Sequence, residues 1–427
     1  MKKHTLVAHL SPDLEVLFMI HLIRSDERVR ERLDVEDCPA LKFIPAGPLS
    51  ADDWSKTEMD LTVEELEARG YLFLDCGGGL LDQHGKQSLL RNSMSSLDLL
   101  VHYAEIDKNR PELLPIVSVI SQNDLSGQDI VRDQKYRQSQ TPHTPRHLRN
   151  VVLGWNLMYF GYPEYVVALA NTAFCSIGRL LVEKHLNGDR DIPMAEVRQL
   201  FLADEIVHGA FSDLAFGEAG GFDTSAAEKE SVEFREEVEA GLDAMEKEWD
   251  LGARDYLKRT KIVRTAYSKE VEGATVCRQI AIVYGSSDSS RFGAVTRFGN
   301  ESQGHRGRPY RQIGERPKAD VTIQFYGPGR FLVSTKGIEL GKVAAAIRRL
   351  DLVRKGVKLD EAQQDQLGNT GHLMFTNSQN AEVQAMYLAE YRTAFGNAFR
   401  ANPRAAAVAL TEDEIVDLTI KALSGSK

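Results

Sequence analysis

One glycine-rich stretch carries residue types that could do chemistry. Residues 72–85 read LFLDCGGGLLDQHG, so three apolar residues precede Asp75, three glycines follow, and Asp82 and His84 come next. An apolar run bounded by glycine predicts a buried strand that ends at a carboxylate. Because glycine adopts positive φ and leaves space for a ligand, the turn could bring the backbone close to a bound group.

A second polar segment follows the first apolar run of the chain in the same way. Residues 9–15 read HLSPDLE and supply His9, Asp13 and Glu15. Open parallel sheets place their chemistry at the carboxyl ends of the strands, and carboxylates with imidazoles suit divalent cations. Either segment alone is equally consistent with a polar turn of an ordinary α/β fold. The two together favour a metal site built from separate loops.

The elements around these segments predict a parallel sheet. Strands at 5–9, 41–45 and 72–75 alternate with helices at 13–33 and 61–67. Strands that alternate with helices are typical of a parallel sheet covered by helices.

The rest of the chain divides into a helical region and a mixed region. Helical patterns dominate as far as about residue 267, including a long charged helix from 225 that is either continuous or broken near Leu251 and Gly252. Strands and helices then mix, with further helices at 381–401 and 412–423. The fold class is therefore α/β, with a parallel-sheet domain, a helical insertion and a smaller α+β domain. We expect domains at 1–110, 111–268 and 269–427.

Composition narrows the function classes. The 427 residues include 52 basic and 62 acidic ones, so no overall positive field attracts nucleic acid. The cysteines lack metal-ligand spacing and predict reduced thiols in a cytoplasmic protein; they are Cys38, Cys76, Cys175 and Cys277. We expect no signal peptide and no apolar stretch long enough to cross a bilayer, and hence no membrane partner.

A local basic segment could bind an anion. The predicted connection 285–318 is rich in arginine and glycine, and long connections of this kind are often functional. A guanidinium group matches phosphate geometry. We therefore predict substrate contacts from Arg306, Arg308 and Arg311, although solvated loop charges would give the same pattern.

The motifs, taken together, resemble those of the DHH phosphoesterase superfamily. The resemblance rests on His9-x-x-x-Asp13-x-Glu15, on Asp75 and on Asp82-Gln-His84, and it covers about the first 110 residues. The short glycine turn after Asp75 looks most like the Myg-type exonuclease branch. Members of this family are two-metal phosphoesterases that use manganese or magnesium and act on nucleotides, short oligonucleotides or pyrophosphate.

The resemblance also implies roles for single residues. It implies metal ligation by five residues: His9, Asp13, Glu15, Asp75 and Asp107. Asp75 would bridge two ions, and Asp98 is an alternative to Asp107. It implies a catalytic pair of His84 and Asp82, and a phosphate contact from His372 in the second domain.

Two positions depart from the family pattern. Glu15 stands where the family has aspartate, and Gln83 stands where the family has the first histidine of its pair. A neutral amide is a poorer ligand for these ions. The second metal site is therefore weak, built differently, or absent.

These observations predict a metal-dependent phosphodiesterase or exonuclease that acts on short oligonucleotides or a nucleotide. Hydrolysis would use one or two Mn²⁺ or Mg²⁺ ions to activate water. The main alternative is a catalytically degenerate nucleotide-binding sensor or scaffold. A helical protein–protein module would explain residues 111–268 but not the motifs. The sequence leaves homodimer formation open.

Overall fold

The structure of the chain is a computed structural model. It describes residues 2–44, 61–83, 94–126, 146–186, 192–215, 224–271, 274–287, 291–301, 304–308, 310–327, 329–335, 341–356, 358, 361, 364 and 408–424. The chain folds into two compact units. The first contains Met1–Ile44, Leu49–Glu246 and Gln303–Arg308, and the second contains Pro45–Pro48, Lys247–Ser302 and Pro309–Lys427. The three-domain division expected from the sequence stays a prediction.

The first unit contains a parallel sheet, as predicted. Its strands are β1 (Lys3–His9), β2 (Val35–Ile44) and β3 (Tyr71–Phe73), in the order β2-β1-β3. Both neighbours run parallel to β1, which pairs through Leu6 with Leu41 on one side and Leu72 on the other. The carboxyl ends of the strands therefore meet at one edge, where the two polar segments begin.

The first two helices differ from the single helix predicted at 13–33. The structure has α1 (Leu14–Ser25) and α2 (Glu27–Leu33). Asp26 separates them because its backbone is extended and its side chain accepts hydrogen bonds from the N–H groups of Arg28 and Val29. Aspartate in this position is a preferred helix N-cap, so it begins a new helix.

Most of the remaining helices of the first unit pack against one another and the sheet in one large apolar core, whereas Leu66 belongs to a smaller cluster with Val7 and Phe73. The remaining helices are α3 (Val63–Ala68), α4 (Ser96–Tyr103), α5 (Ile106–Asn109), α6 (Leu114–Ser126), α7 (Leu148–Met158), α8 (Pro163–Leu186), α9 (Met194–Gln199), α10 (Ala203–Ala215) and α11 (Thr224–Arg259), with a 3₁₀ turn at Pro111–Leu113. The long helix α11 continues into the second unit, and the division between the units falls after Glu246.

Helix α8 corrects the expectation about apolar stretches. Within the described residues, Pro163–Lys184 is long and apolar enough to cross a membrane, judged by length and composition alone. Just over half of its most apolar window is buried inside the protein. Buried core helices of soluble proteins pass the same test, so this finding is weak evidence for a membrane span.

Helices α7 and α11 cross at two glycines. A Cβ atom on Gly154 would lie 2.7 Å from the Cα atom of Gly241, and closer still to its carbonyl group. The neighbours of Gly154 add two hydrogen bonds to backbone carbonyls. Trp155 Nε1 donates to Glu237 O at 2.8 Å, and Asn156 Nδ2 donates to Pro12 O at 2.8 Å.

The second unit contains a mixed sheet. Strands β4 (Thr260–Val271), β5 (Ala274–Val283), β6 (Val321–Gly327) and β7 (Arg330–Thr335) lie in chain order, with β5 and β6 parallel and the other pairs antiparallel. Helices α12 (Phe292–Phe298), α13 (Gly341–Arg354) and α14 (Glu412–Leu423) accompany them, with a 3₁₀ turn at Gly299–Glu301. The chain is thus a mixed α/β protein.

Two details of the long charged helix and the region after it differ from the prediction. The helix is continuous through Leu251 and Gly252, which is one of the two predicted alternatives. It ends at Arg259, because the alternating residues from Thr260 pair with β5 as a strand. The predicted connection 285–318 contains helix α12. The helix predicted at 381–401 lies outside the described residues.

Candidate metal centre

The end of β1 and the start of α1 position His9 and Asp13. His9 is the last residue of β1, and the next residue donates its N–H to Ile44 O at 2.8 Å, which ties the strand end to β2. Asp13 is the N-cap of α1 and accepts a hydrogen bond from Val16 N at 3.0 Å. Asn156 holds the intervening Pro12 carbonyl. The segment is therefore fixed at both of its polar residues.

Asp75 is positioned by a strained turn after β3. Its φ is +51°, in the left-handed region that residues with a side chain rarely adopt. Its N–H donates to Leu81 O at 3.1 Å, and its Oδ1 accepts a hydrogen bond from Ser96 Oγ at 2.7 Å. The turn is closed by Gly78 N, which donates to Asp82 Oδ2 at 2.7 Å. These bonds keep the Asp75 carboxylate at the edge of the sheet.

The three side chains converge. One ligand atom each from His9, Asp13 and Asp75 lie within 4.8 Å of one another, and we call this group the His9 cluster. Burial lowers the pKa of His9, against the opposing effect of the Asp13 and Asp82 charges. A neutral imidazole keeps a lone pair for a metal. The donor set of one imidazole and two carboxylates therefore fits a divalent cation.

Glu15 lies beside the cluster but is not one of the three converging groups. Its side chain is buried, and Oε1 accepts a hydrogen bond from Leu97 N at 2.6 Å, near the start of α4. Oε2 is buried without a hydrogen-bond partner among the described residues. Burial raises the pKa of Glu15 well above its usual range, and the charges of Asp124, Asp75 and Asp13 add to the effect. Without a cation nearby, Glu15 therefore favours its protonated form, and its role as a ligand stays a prediction.

Gln83 has hydrogen-bond partners of its own. Its side-chain Nε2 donates to Asp124 Oδ2 at 3.0 Å, and its backbone N–H donates to Ser96 Oγ at 3.0 Å. Ser96 in turn donates to Asp75. The position that would carry a ligand histidine in the family thus holds an amide bonded to a carboxylate of α6.

The other predicted acidic residues lie in different surroundings. Asp82 is buried and accepts the Gly78 N–H, so it supports the glycine turn. Asp107 is exposed on α5 and does not belong to the His9 cluster. Its rival Asp98 caps α4, where Ser95 N donates to Oδ2 and Ser121 Oγ donates to Oδ1, both at 2.9 Å.

The residues predicted to bind substrate are only partly described. His84 and His372 lie outside the described residues. Arg306 Nη2 donates to both carboxylate oxygens of Asp243 at 2.9 Å, and Arg311 Nε donates to Asp250 Oδ1 at 3.0 Å. Arg308 is exposed. Two of the three predicted arginines therefore contact acidic side chains of helix α11.

Three residues that support the cluster were missed in the sequence. Ser96, Asp124 and Asn156 each make a side-chain hydrogen bond at or beside the cluster, and each is distant in sequence from its partner. Ser96 had a weak local signal, since two serines at 95 and 96 precede the apolar pattern of a helix. Asp124 and Asn156 had none, because only the packing of α6 and α7 brings them close.

When the chain is compared with family models, curated proteins and solved structures, it matches none of them.

Proposed function

We propose that the chain is a metal-dependent phosphoester hydrolase of the DHH type, acting on a nucleotide or a short oligonucleotide in the cytoplasm. The observation that carries the proposal is the convergence of His9, Asp13 and Asp75 at the carboxyl edge of a parallel sheet. The resemblance of their spacing to the DHH motifs supplies the reaction class.

A divalent ion bound at the His9 cluster would lower the pKa of a bound water and neutralise charge on the phosphoryl oxygens. The residues of the chain prepare that chemistry. Burial keeps the His9 imidazole neutral and able to ligate. The hydrogen bond from Ser96 orients the Asp75 carboxylate, and the capping of α1 orients Asp13. Supporting hydrogen bonds of this kind fix the geometry of metal ligands.

We propose that Mn²⁺ or Mg²⁺ binds, with the first ion at His9, Asp13 and Asp75. The proposed roles of Asp82 and His84 in catalysis, and of Arg308 and His372 in holding substrate phosphates, rest on the resemblance and the local basic charge. Asp82 already accepts a backbone hydrogen bond.

A nucleotide-binding protein that does not hydrolyse its ligand is the second candidate. The observation that favours it is the bond between Gln83 and Asp124, which leaves a neutral amide where the family has a metal-binding histidine. This protein would keep the first ion and lose catalysis.

The test measures manganese binding and hydrolysis on the same variants. Calorimetric titration should show weaker Mn²⁺ binding in Asp75→Asn than in the wild type, because an amide replaces a charged ligand. Asp37→Asn is the matched control, since the same change falls on a carboxylate that is 91% exposed and has no proposed role. Release of mononucleotides from a short labelled oligonucleotide in Mn²⁺ measures catalysis.

The outcomes separate the candidates. Release by the wild type that is lost in Asp75→Asn and kept in Asp37→Asn supports the hydrolase. Mn²⁺ and nucleotide binding without release supports the sensor. Equal Mn²⁺ affinity in the wild type and Asp75→Asn removes the His9 cluster as a metal centre.

A further inference from the structure

A second group of acidic and histidine side chains lies on helix α11. Glu239, Asp243 and Glu246 follow at intervals of four and three residues, so they share one helix face. The turn at residues 304–308 places His305 against this face. Within the turn, Gly304 N donates to Arg308 O at 2.7 Å and Gly307 N donates to Gly304 O at 3.0 Å.

His305 is buried within this group. Its side chain is only 2% exposed, although it belongs to a short irregular segment. Its Nδ1 lies 3.0 Å from Glu246 Oε2, and its Nε2 lies 3.1 Å from Asp243 Oδ1 and 3.5 Å from Glu239 Oε2. One ligand atom each from Asp243, Glu246 and His305 lie within 4.8 Å of one another, and we call these three residues the His305 cluster.

The short distances are not hydrogen bonds. Neither ring nitrogen of His305 has a partner at an acceptable hydrogen-bond angle within the described part of the chain. A buried polar group without a partner costs free energy, so it needs an explanation. Ligands around an ion at metal–ligand distances of about 2.0–2.2 Å lie roughly 3 to 3.5 Å apart, and they point at the ion rather than at one another.

The carboxylates around the His305 cluster outnumber the guanidinium groups that contact them. Arg146 donates to Glu239 and Asp204, and Arg306 donates to Asp243. These three contacts involve two guanidinium groups, those of Arg146 and Arg306. The carboxylates of Asp204, Glu239, Asp243 and Glu246 outnumber them by two. One divalent cation would balance the difference.

The backbone also allows this arrangement. A Cβ atom on Gly304 would lie 2.8 Å from Glu246 Oε1, so a side chain at this position would push into the carboxylate. The absence of a side chain at Gly304 lets the turn approach α11 closely enough for His305 to reach both Asp243 and Glu246.

We propose that the His305 cluster binds a divalent first-row transition metal of the Zn²⁺ class, at a site separate from the His9 cluster. Imidazole favours these ions over Mg²⁺ and Ca²⁺, and the carboxylates supply the balancing charge. A histidine binds a metal through one nitrogen and donates from the other to a carboxylate. Both nitrogens of His305 have such a carboxylate within reach. The ion would join the turn 304–308 to α11 and thus serve a structural purpose.

The test counts Zn²⁺ bound by the full-length protein after equilibrium dialysis. We expect about two equivalents in the wild type, and about one in each of Asp75→Asn and His305→Gln, because each change disables a different cluster. The double variant should bind close to none. His102→Gln serves as the matched control, since the same change is made at an exposed histidine outside both clusters.

Thermal unfolding of Asp75→Asn gives a measurement that does not depend on any His305 variant folding. Zn²⁺ should raise its melting temperature, because a ligand that binds the folded state stabilises it. Mg²⁺ at the same concentration should raise it less.

Two results would overturn the proposal. One is an Asp75→Asn protein that binds no Zn²⁺ and is not stabilised by it. The other is a His305→Gln protein that binds as much Zn²⁺ as the wild type, in which case His305 is simply a member of an ion-pair cluster. Neither result depends on whether the His9 cluster is catalytic. The proposed hydrolysis is tested by nucleotide release in Mn²⁺, whereas this test counts bound Zn²⁺.

Discussion

The glycine crossing of α7 and α11 supports both clusters, and the substitution Gly154→Ala tests it. The added methyl group would lie 1.8 Å from Gly241 O and 2.7 Å from Gly241 Cα, whereas heavy atoms in contact prefer about 3.5 Å or more. The helices would therefore have to separate by roughly 1.5 Å. The movement would strain the hydrogen bonds that Trp155 makes to Glu237 O and Asn156 makes to Pro12 O.

Two opposing effects set the magnitude. Overpacking a tight contact costs about 1–3 kcal/mol, and the replacement of a helical glycine by alanine gains about 0.4–1 kcal/mol. Because the closest contact, to Gly241 O, is 1.8 Å and involves backbone, the cost should lie near the upper end, and we expect Gly154→Ala to lower the free energy of unfolding by about 2–2.5 kcal/mol. For a unit of this size, the melting temperature would fall by about 2–4 °C for each kcal/mol.

Gly178→Ala is the matched control. Gly178 lies in helix α8, and a Cβ atom there would meet nothing within 4 Å. The control should show only the propensity gain and become slightly more stable. Urea unfolding followed by tryptophan fluorescence measures both variants. If Gly154→Ala proves as stable as Gly178→Ala, the helices separate without cost and the reasoning about the crossing is wrong.

Three further predictions concern single side chains. Gln83→His should add about one equivalent of bound Mn²⁺ to the wild-type value in calorimetry, because it restores a lost ligand, even though it breaks the bond to Asp124. An unchanged stoichiometry would refute that idea. Ser96→Ala should weaken Mn²⁺ binding by about 10–100-fold, because Asp75 loses the hydrogen bond that orients it; unaltered affinity would show that Asp75 needs no support. Burial lowers the pKa of His21 below 6.5 in the folded state. The unfolded state therefore binds the proton more readily, and the free energy of unfolding should fall as the pH drops from 6.5 towards the folded-state pKa. His21→Gln should flatten that dependence in urea unfolding between pH 5 and 7.5, and an equally steep profile would exclude His21 as its source.

The parallel sheet could be predicted from the sequence because its signals are local. β1 is buried, so its apolar run is continuous and ends at a polar residue. The break at Asp26 and the strand from Thr260 were local too. The break at Asp26 was missed because helix α2 follows at once, so the helical pattern continues. The strand from Thr260 was missed because it directly follows the long charged helix α11.

The side-chain partners could not be predicted, because they depend on how distant helices pack. Gln83 and Asp124 are 41 residues apart in the chain, and Asp243 and Arg306 are 63 apart. The acidic residues of α11 have the spacing of a solvated helix face, and only the folded turn at 304–308 gives them a buried histidine. The arginines beside that histidine formed a recognisable pattern in the sequence because they are numerous. His305 is a single histidine in the predicted connection 285–318 and formed no such pattern.

Helix α7 links the surroundings of the two clusters. Its adjacent residues Trp155 and Asn156 donate hydrogen bonds in different directions, to Glu237 O on α11 and to Pro12 O beside Asp13. Both donors follow directly after the tight contact at Gly154, which lies one residue before Trp155 and two before Asn156. Glu237 lies two residues before Glu239, which begins the helix face that bears Asp243 and Glu246. A shift of α7 along α11 would therefore move Asn156, and with it the Pro12 carbonyl, relative to this face. The position of the Asp13 carboxylate is therefore set partly by the same helix crossing that supports the face bearing Asp243 and Glu246, although the two clusters have no ligand in common.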